Sequence, residues 1–308
     1  MGRLRLSPAA FRRIAFLAGV LLAVIIVTGG AVRLTGSGLG CPDWPSCRPD
    51  SLVPHGVSDS HAMVEFVNRT FTGAVSIAVI VCVLGALLRA PRRRDLTWAS
   101  LGLVVGVIAQ AVLGGLTVLF ELKPQFVMAH FLLSLALVTD AVFLYRRAGD
   151  AGVNPRSIVT PSVRRAGWLL TVWAGVVVFA GTIVTSSGPH GGDRKAKRFG
   201  FSVSSVARVH GIAVTLFLLM ALASFWLLRR TRAPEPVLSR LGAVFVIACL
   251  QTVIGYVQYF NDTPVLLVGF HIAGATALWV AVIWYLLGLT ERDPEPSLVG
   301  DLDRATAR

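Results

Sequence analysis

Charged residues are scarce in this chain of 308 residues. Asp, Glu, Lys and Arg make up 15% of it, whereas soluble globular domains contain about 25%. Hydrophobic residues make up 55%, and the mean hydropathy is +0.71. These values exclude an ordinary soluble domain and a disordered chain. The four cysteines are too few for a disulfide-rich secreted miniprotein, so lipid is the expected solvent for most of the chain.

Acidic residues are especially few. The chain has 16 Asp and Glu against 29 Lys and Arg, which gives a formal net charge of +13. Such an excess often indicates nucleic-acid binding. Here most basic residues fall in alternate short segments between the apolar runs, counted from the N-terminus. That is the positive-inside pattern, so we expect cytoplasmic termini, an even number of spans and no nucleic-acid partner.

Long apolar runs dominate the rest of the sequence. A membrane-spanning helix needs roughly 20 apolar residues. The first run is uncharged from Ile14 to Val32 and lacks a cleavage site, so we expect a retained helix rather than a signal peptide. Eight runs qualify, at approximately 14–33, 66–88, 96–119, 125–145, 166–187, 206–228, 241–260 and 265–289. The expected fold class is an all-α integral membrane protein with eight transmembrane helices.

The second half of the chain repeats features of the first. Gln110 precedes His130 by the same number of residues as Gln251 precedes His271, within similar apolar sequences. This predicts two tandem, similar four-helix bundles in the same orientation. The matching segments at the ends of the first and fifth runs are Thr35-Gly-Ser-Gly38 and Thr185-Ser-Ser-Gly188. The predicted domains are an N-terminal unit at 1–147, a cytoplasmic linker at 148–164, a C-terminal unit at 165–290 and a cytoplasmic tail at 291–308.

Three histidines lie at a similar depth inside the apolar runs. One such histidine is often only a hydrogen-bond partner between helices, but three at one depth favour a functional site. His210 and His271 fall on the second and fourth helices of the second unit, an arrangement that suits axial ligation of heme iron. Zinc is disfavoured because no Cys or carboxylate accompanies them at that depth. The third histidine, His130, is the counterpart of His271 in the first unit.

The first unit lacks the second member of its pair, because Asn68 stands where His is expected. Asn is a poor iron ligand, so a heme there would be held more openly, or by His130 alone. His61 is either a substitute ligand or an interfacial polar residue. Glu65 and Arg69, at i and i+4, are either a simple ion pair or a carboxylate poised for proton transfer beside an arginine that binds heme propionates.

The long loop after the first run contains Cys41 and Cys47, which either form a disulfide or remain free thiols. No Cys-x-x-Cys-His motif is present, so any heme is expected to be held non-covalently.

A lone acid, Asp140, lies deep in the fourth run. It falls near the predicted cytoplasmic end of that run. We therefore expect it to pair with Arg146 or Arg147 at the membrane boundary.

These motifs resemble those of the heme A synthase family of bacterial and mitochondrial membranes, over nearly the whole chain. The resemblance implies two similar four-helix bundles, and oxidation of the C8 methyl of heme O to the formyl group of heme A for cytochrome oxidase. The motifs that carry it are Gly29-Gly-Ala-Val-Arg33-Leu-Thr35-Gly-Ser-Gly38, Cys41-Pro-Asp-Trp-Pro-Ser-Cys47, Glu65-x-x-Asn68-Arg69, Thr185-Ser-Ser-Gly-Pro-His190 and the segment from Gln251 to His271.

The resemblance also implies site residues and partners. A heme b cofactor would be ligated by His210 and His271, and Cys41 and Cys47 would form a disulfide. The first bundle would hold heme O, with Glu65 as the catalytic residue. The substrate-heme contacts implied there are His130 (its iron ligand), Asn68, Arg69 and His61. Family members commonly have His where this chain has Asn68.

The expected location is the cell membrane, with the active site toward the extracytoplasmic side. Heme O synthase, cytochrome oxidase assembly factors and membrane lipid are the implied partners besides heme O itself. Two other functions fit the same histidines. One is a di-heme electron-transfer or heme-carrying protein without turnover. The other is a transporter with a histidine proton relay, which the lack of Gly/Pro-interrupted helix pairs disfavours.

Overall fold

Eight long helices make up most of the structure. The computed structural model describes residues 5–54, 59–150 and 155–292, so the predicted tail from 293 and residues 151–154 of the predicted linker lie outside it. Each helix is long and apolar enough to cross a membrane, which confirms the predicted fold class. The helices are α1 Pro8–Leu34, α2 Ser60–Leu88, α3 Arg94–Leu119, α4 Pro124–Ala148, α5 Pro161–Ser187, α6 Val203–Arg230, α7 Glu235–Phe260 and α8 Val265–Leu287.

Several helices begin before the apolar runs that predict them, because their capping side chains lie outside those runs. The Ser7 hydroxyl accepts a hydrogen bond from the Ala10 N–H at the start of α1. The Asp59 carboxylate accepts one from the Ala62 N–H at the start of α2, which satisfies an otherwise unpaired donor of the first turn. As a result, α2 has polar turns ahead of its apolar run, and these turns carry Glu65.

Consecutive helices pack side by side into two four-helix bundles. In the first bundle α1 and α3 each contact both α2 and α4, and in the second α5 and α7 each contact both α6 and α8. The pairs α2/α4 and α6/α8 are therefore diagonal. Fully buried apolar side chains fill both interiors, such as Phe11 and Leu103 in the first and Leu170 and Phe217 in the second.

The two ends of the bundles differ in chemistry. The loop with Cys41 and Cys47 follows the C-terminus of α1, and we call this end the disulfide face. The opposite end, where α1 begins and α4 ends, carries Arg12, Arg93 and Arg146, and we call it the arginine face.

The two bundles pack against each other mainly through α8, which contacts α1 and α4. The Trp279 indole N–H donates to the Thr139 hydroxyl at 2.8 Å and to the Leu135 carbonyl at 3.2 Å. At the disulfide face, Arg33 of α1 donates to the His190 carbonyl at 2.8 Å and the Thr185 carbonyl at 3.1 Å. Hydrogen bonds therefore join the two halves both in the middle of α8 and at the disulfide face.

A small two-stranded sheet lies at the arginine face of the second bundle. Strand β1, Arg156–Ser157, pairs antiparallel with β2, Thr290–Glu291. The strand inside the predicted linker therefore associates with the second bundle. Because α4 ends at Ala148 and α5 begins at Pro161, the helix-free connection is shorter than the predicted linker at 148–164.

Candidate functional site

The imidazole rings of His210 and His271 approach each other across the second bundle. Their centroids are 6.4 Å apart, with ring planes at 82°. The two residues belong to α6 and α8, which are diagonal rather than adjacent. The space between the rings therefore lies inside the bundle and not in a seam between neighbouring helices.

This separation fits a single metal ion between the rings. A metal–imidazole nitrogen bond is about 2 Å long, and the nitrogen lies roughly 1 Å from the ring centre, so two imidazoles on opposite sides of one ion have centroids roughly 6 Å apart. Among the described residues, no group of three or more His, Cys, Asp or Glu could hold a metal ion. A closed zinc site would need more protein ligands, whereas heme iron needs only axial ones from the protein.

Each intramembrane histidine packs against a glycine of a neighbouring helix. A methyl group placed on the glycine would lie 3.2 Å from Cε1 of His130 or His210, which is tighter than most contacts, and 3.4 Å from Cε1 of His271, which is at the short end of ordinary contact. The glycines therefore provide the space that the rings occupy. The pairs are Gly114 with His130, Gly181 with His210 and Gly255 with His271.

The first bundle presents His130 from α4, with Gln110 of α3 beside it. The Gln110 amide N–H donates to the His130 carbonyl at 3.1 Å and also to the Ser134 hydroxyl. Gln110 Oε1 and His130 Nδ1 are buried without a hydrogen-bond partner among the described residues. Gln251 Oε1 and His271 Nδ1 have the same status in the second bundle. This correspondence supports the internal repeat. In both bundles, a glutamine oxygen and an imidazole nitrogen at equivalent positions are available to bind a ligand.

Asn68 lies on α2, diagonal to α4, as His210 lies on α6, diagonal to α8. The Asn68 side-chain carbonyl Oδ1 is buried and has no hydrogen-bond partner among the described residues. An unpaired buried amide oxygen is costly unless something binds it. The first bundle therefore offers one imidazole and one carboxamide at the positions where the second offers two imidazoles.

Glu65 and Arg69 form a hydrogen-bonded network with the disulfide loop, the segment 41–47. Glu65 is buried, and its Oε2 accepts from the Cys41 N–H at 2.8 Å. Its Oε1 accepts from Arg69 Nη2 at 2.6 Å and from Arg69 Nε at 3.1 Å. Both carboxylate oxygens are thus already bound to donors. The predicted ion pair is present, and it extends to the loop backbone.

Arg69 completes the attachment of the loop. Its guanidinium donates to the carbonyls of Cys41 at 2.9 Å, Asp43 at 3.0 Å and Ser46 at 3.1 Å. Together with the two bonds to Glu65, these account for all five N–H groups of the guanidinium. A contact between Arg69 and heme propionates would have to replace one of these bonds.

The disulfide loop lies next to the His130 site. Cys41 and Cys47 form a disulfide and are both buried, which confirms the pairing implied by the family resemblance. Trp44 packs so closely on Gly115 of α3 that a methyl group there would lie 2.6 Å from the indole ring. Gly115 is adjacent to Gly114, the glycine that contacts His130. The loop therefore places an aromatic side chain over the disulfide-face end of the first bundle.

His61 lies away from His130, in the first turn of α2. The side chain is exposed, and its Nδ1 hydrogen-bonds the Ser37 hydroxyl at 3.0 Å. Ser37 in turn bonds the Thr35 hydroxyl at 2.9 Å. The structure therefore places His61 in a polar chain at the disulfide face.

The predicted pairing of Asp140 is wrong. Among the described residues, no Arg lies within 4 Å of its carboxylate; Arg147 instead binds Asp95 at 2.6 Å. Asp140 faces Gly102 of α3, where a methyl group would lie 2.9 Å from its Oδ2. The carboxylate points into the contact between α3 and α4 and not toward the end of α4.

The chain is similar to curated heme A synthases over about half of its length. The chain is 30% identical to the heme A synthase of Shewanella oneidensis over 155 residues, which are 46% of this chain and 44% of that relative. It is 26% identical to the heme A synthase of Exiguobacterium sibiricum over 54% of this chain and 56% of the relative. For the heme A synthase of Lysinibacillus sphaericus, the identity is 29% over 53% and 54%. The chain thus spans about half the length of these curated relatives.

Residues 12–189 match the sequence model of the cytochrome oxidase assembly protein family, COX15-CtaA. The match covers more than half of the chain, from α1 to the end of α5, and includes Glu65, Asn68 and His130. It ends before His210 and His271, which the structure places together independently of the match. The chain therefore belongs to the cytochrome oxidase assembly protein (COX15-CtaA) family.

Proposed function

We propose that this protein is a heme A synthase, which oxidises the C8 methyl of heme O to the formyl group of heme A for cytochrome oxidase. The observation that carries the proposal is the facing pair His210 and His271, 6.4 Å apart inside the second bundle. A related site at His130 in the first bundle, the family membership and the names of the relatives support it.

The second bundle is proposed to hold heme b between His210 and His271. When bound, this group supplies one-electron transfer. The role of the protein is to fix the two imidazoles, which Gly181 and Gly255 accommodate on the neighbouring helices.

The first bundle is proposed to hold heme O, with His130 as the iron ligand. The Asn68 side chain stands on the opposite diagonal helix and supplies an unpaired carbonyl oxygen. Because a carboxamide is a weak iron ligand, the Asn68 side of the substrate is held less firmly. His61 takes part only through the chain to Ser37, so we do not assign it as the replacement ligand.

Conversion of a methyl to a formyl group removes four electrons and adds one oxygen atom, by way of the alcohol. Glu65 is proposed to support this reaction through the loop that it binds. Its carboxylate holds the Cys41 amide and the Arg69 guanidinium, and the loop in turn holds Trp44 beside the His130 site. Trp44 there would restrict access of water to the reacting edge of the substrate.

The arginine face is proposed to be cytoplasmic, because basic residues concentrate on that side of membrane proteins. Both heme sites then lie toward the extracytoplasmic side of a cell membrane. Heme O synthase and cytochrome oxidase assembly factors are the partners that this role implies, as supplier of the substrate and users of the product.

Expression in a host that makes heme O but not heme A tests the proposal. Hemes extracted from the membranes are separated by chromatography, with His130→Ala as the matched negative control. The wild-type protein should yield heme A or its hydroxylated precursor, whereas the variant should yield neither and keep the second-bundle heme. Wild-type membranes with heme b and unaltered heme O would instead indicate a di-heme electron carrier and would refute the synthase.

A further inference from the structure

Two groups of arginines on the arginine face differ in their partners. The first group has carboxylate partners: Arg93 and Arg147 bind Asp95 at 2.7 and 2.6 Å, and Arg292 binds Asp150 at 3.5 Å. Arg292 is thus matched by one carboxylate, whereas Arg93 and Arg147 share the single charge of Asp95.

The second group surrounds two aromatic side chains where α1, α4, α7 and α8 meet. Arg146 and Arg240 have their guanidinium carbons 5.5 and 5.7 Å from the Trp284 ring centroid. Tyr145 stacks on Trp284 at 5.9 Å, and Arg12 lies 4.7 Å from the Tyr145 ring and donates to its hydroxyl. We call these five residues the Trp284 cluster.

The arginines of the Trp284 cluster form no ion pair within the part of the chain that the structure describes. Among the described residues, no carboxylate lies within 4 Å of Arg12, Arg146 or Arg240, although Glu291 attracts Arg240 from further away. Two guanidinium groups that share one indole ring repel each other. Cation–π attraction and hydrogen bonds to backbone carbonyls stabilise them, from Arg240 to Gly288 at 3.1 Å and from Arg146 to Thr290 at 3.5 Å, but neither contact supplies a negative charge. An anion between them would remove the repulsion, and the planar donor set of Arg is well suited to phosphate oxygens.

The surroundings of the cluster indicate what carries the phosphate. The Phe16 ring packs against the Tyr145 ring, with centroids 5.5 Å apart and planes tilted by 52°. Phe16 begins a row of exposed apolar side chains that continues along α1 from Arg12 toward the middle of the helix, at spacings of three or four residues. The row consists of Phe16, Val20, Val24 and Val27. A cluster of arginines beside a row of exposed apolar side chains matches a lipid, whose phosphate headgroup is anionic and whose acyl chain is apolar.

We propose that the Trp284 cluster binds the phosphate of an anionic phospholipid, with an acyl chain along the apolar row of α1. The site lies where α8 of the second bundle packs on α1 and α4 of the first. A lipid there contacts both halves. Basic pockets between transmembrane helices bind anionic headgroups in this way.

The test uses full-length protein in neutral detergent and native mass spectrometry with phosphatidylglycerol or phosphatidylcholine. Wild-type protein should retain phosphatidylglycerol preferentially. The double variant Arg146→Gln/Arg240→Gln should lose this preference by about thirtyfold, since each arginine near an anionic lipid contributes roughly fivefold. The matched control is Arg229→Gln/Arg230→Gln, which removes two exposed arginines that each lie over a single ring, Phe225 or Trp226. The control should retain the lipid as wild type does.

The thermal unfolding of wild-type protein distinguishes binding of a lipid from binding of free phosphate. This measurement needs no variant, so it does not depend on whether the variants fold. Phosphatidylglycerol should raise the Tm of wild-type protein, and inorganic phosphate at the same concentration should not. An equal rise with inorganic phosphate would overturn the lipid assignment. Equal retention of both lipids by wild-type protein, or equal loss of lipid in both double variants, would overturn the proposal. If the Arg146→Gln/Arg240→Gln protein does not fold, the single variant Arg146→Gln should still lose retention by about fivefold.

Discussion

Glu65 has both carboxylate oxygens bound to donors, one to the Cys41 N–H and the other to Arg69. A buried carboxylate that bridges a guanidinium and a backbone amide holds these groups in a fixed geometry. Replacing one member of such a pair leaves the other charge without its partner, which costs about 3 kcal/mol. The first consequence of changing Glu65 should therefore be a looser disulfide loop.

We predict that Glu65→Gln lowers turnover by about a hundredfold, because a small displacement near the reacting groups has an effect of this size. It should also speed reduction of the Cys41–Cys47 disulfide by an added thiol. Both sulfurs are buried, so a reductant reaches them only when the loop opens. Thiol labelling against time measures the rate.

The control for this variant is Glu121→Gln, which changes an exposed carboxylate on the same face and should leave turnover and reduction rate unchanged. If Glu65→Gln loses turnover but its disulfide is reduced at the wild-type rate, then Glu65 acts in the chemistry directly and not by holding the loop.

His210 and His271 should both be required for the heme of the second bundle. Their 6.4 Å separation fits two ligands on one iron, so removing either should abolish a low-spin heme b spectrum. Reduced-minus-oxidised spectra of His210→Ala and His271→Ala test this. His61→Ala, which alters an exposed side chain bonded to Ser37, should keep the spectrum. A low-spin signal that survives in either of the first two variants would refute the assignment.

Sequence alone predicts which single residues matter better than it predicts their partners. The depth of His130, His210 and His271 follows from their positions in the apolar runs. The bond between Glu65 and Arg69 follows from helical spacing, but the carbonyls of the disulfide loop that bind Arg69 come from a distant segment with no periodicity. Asp140 shows the same limit, because its neighbour Gly102 lies on a different helix.

A glycine of one helix contacts a histidine ring of the neighbouring helix at three places in the structure. These glycines are Gly114, Gly181 and Gly255. A side chain at any of these glycines would meet the ring while the helix itself could still form. Gly181→Val on α5 should therefore displace the His210 ring, and the second-bundle heme should be lost from otherwise folded protein. Heme content per protein and helical circular dichroism measure these two effects separately.

Gly211→Val is the matched control, since a methyl group at Gly211 of α6 would meet nothing within 4 Å. It changes the residue next to His210 without filling the space of the ring. Equal heme loss in both valine variants would mean that the space at Gly181 does not determine the position of His210.

The bounds of the helices were only partly predictable, for a physical reason. Hydropathy detects the segment that must lie in hydrocarbon, and the structure extends α1 and α2 beyond it with capped polar turns. Those turns matter for the site, because the added part of α2 carries Glu65. The two-stranded sheet of β1 and β2 pairs residues far apart in sequence and has no periodic signal at two residues per strand.

The whole molecule depends on contacts that the internal repeat does not specify. Duplication predicts two similar bundles but not which helices join them. The structure joins them through α4 and α8, since α8 packs on α1 and α4, and the equivalent helix α4 packs on α5 and α8. The individual side-chain bonds are not repeated: the Trp279 indole N–H reaches Thr139 and Leu135 of the other bundle, whereas the residue 141 positions earlier is Val138, which has no side-chain donor. Arg33 makes the corresponding connection at the disulfide face.

These connections should hold the halves together after the chain is cut. A protease site introduced at residues 151–154, between α4 and β1, allows cleavage of the purified protein, and size-exclusion chromatography in mild detergent follows the fragments. The wild-type fragments should elute together. Trp279→Phe combined with Arg33→Gln should favour separation, because each lost hydrogen bond weakens the interface by about 1 kcal/mol and the carbonyls that bound Arg33 lose their donor. Trp98→Phe, which changes an exposed indole on α3, should behave as wild type. Separation of the wild-type fragments immediately after cleavage would show that the covalent connection, and not packing through α8, keeps the two bundles in register.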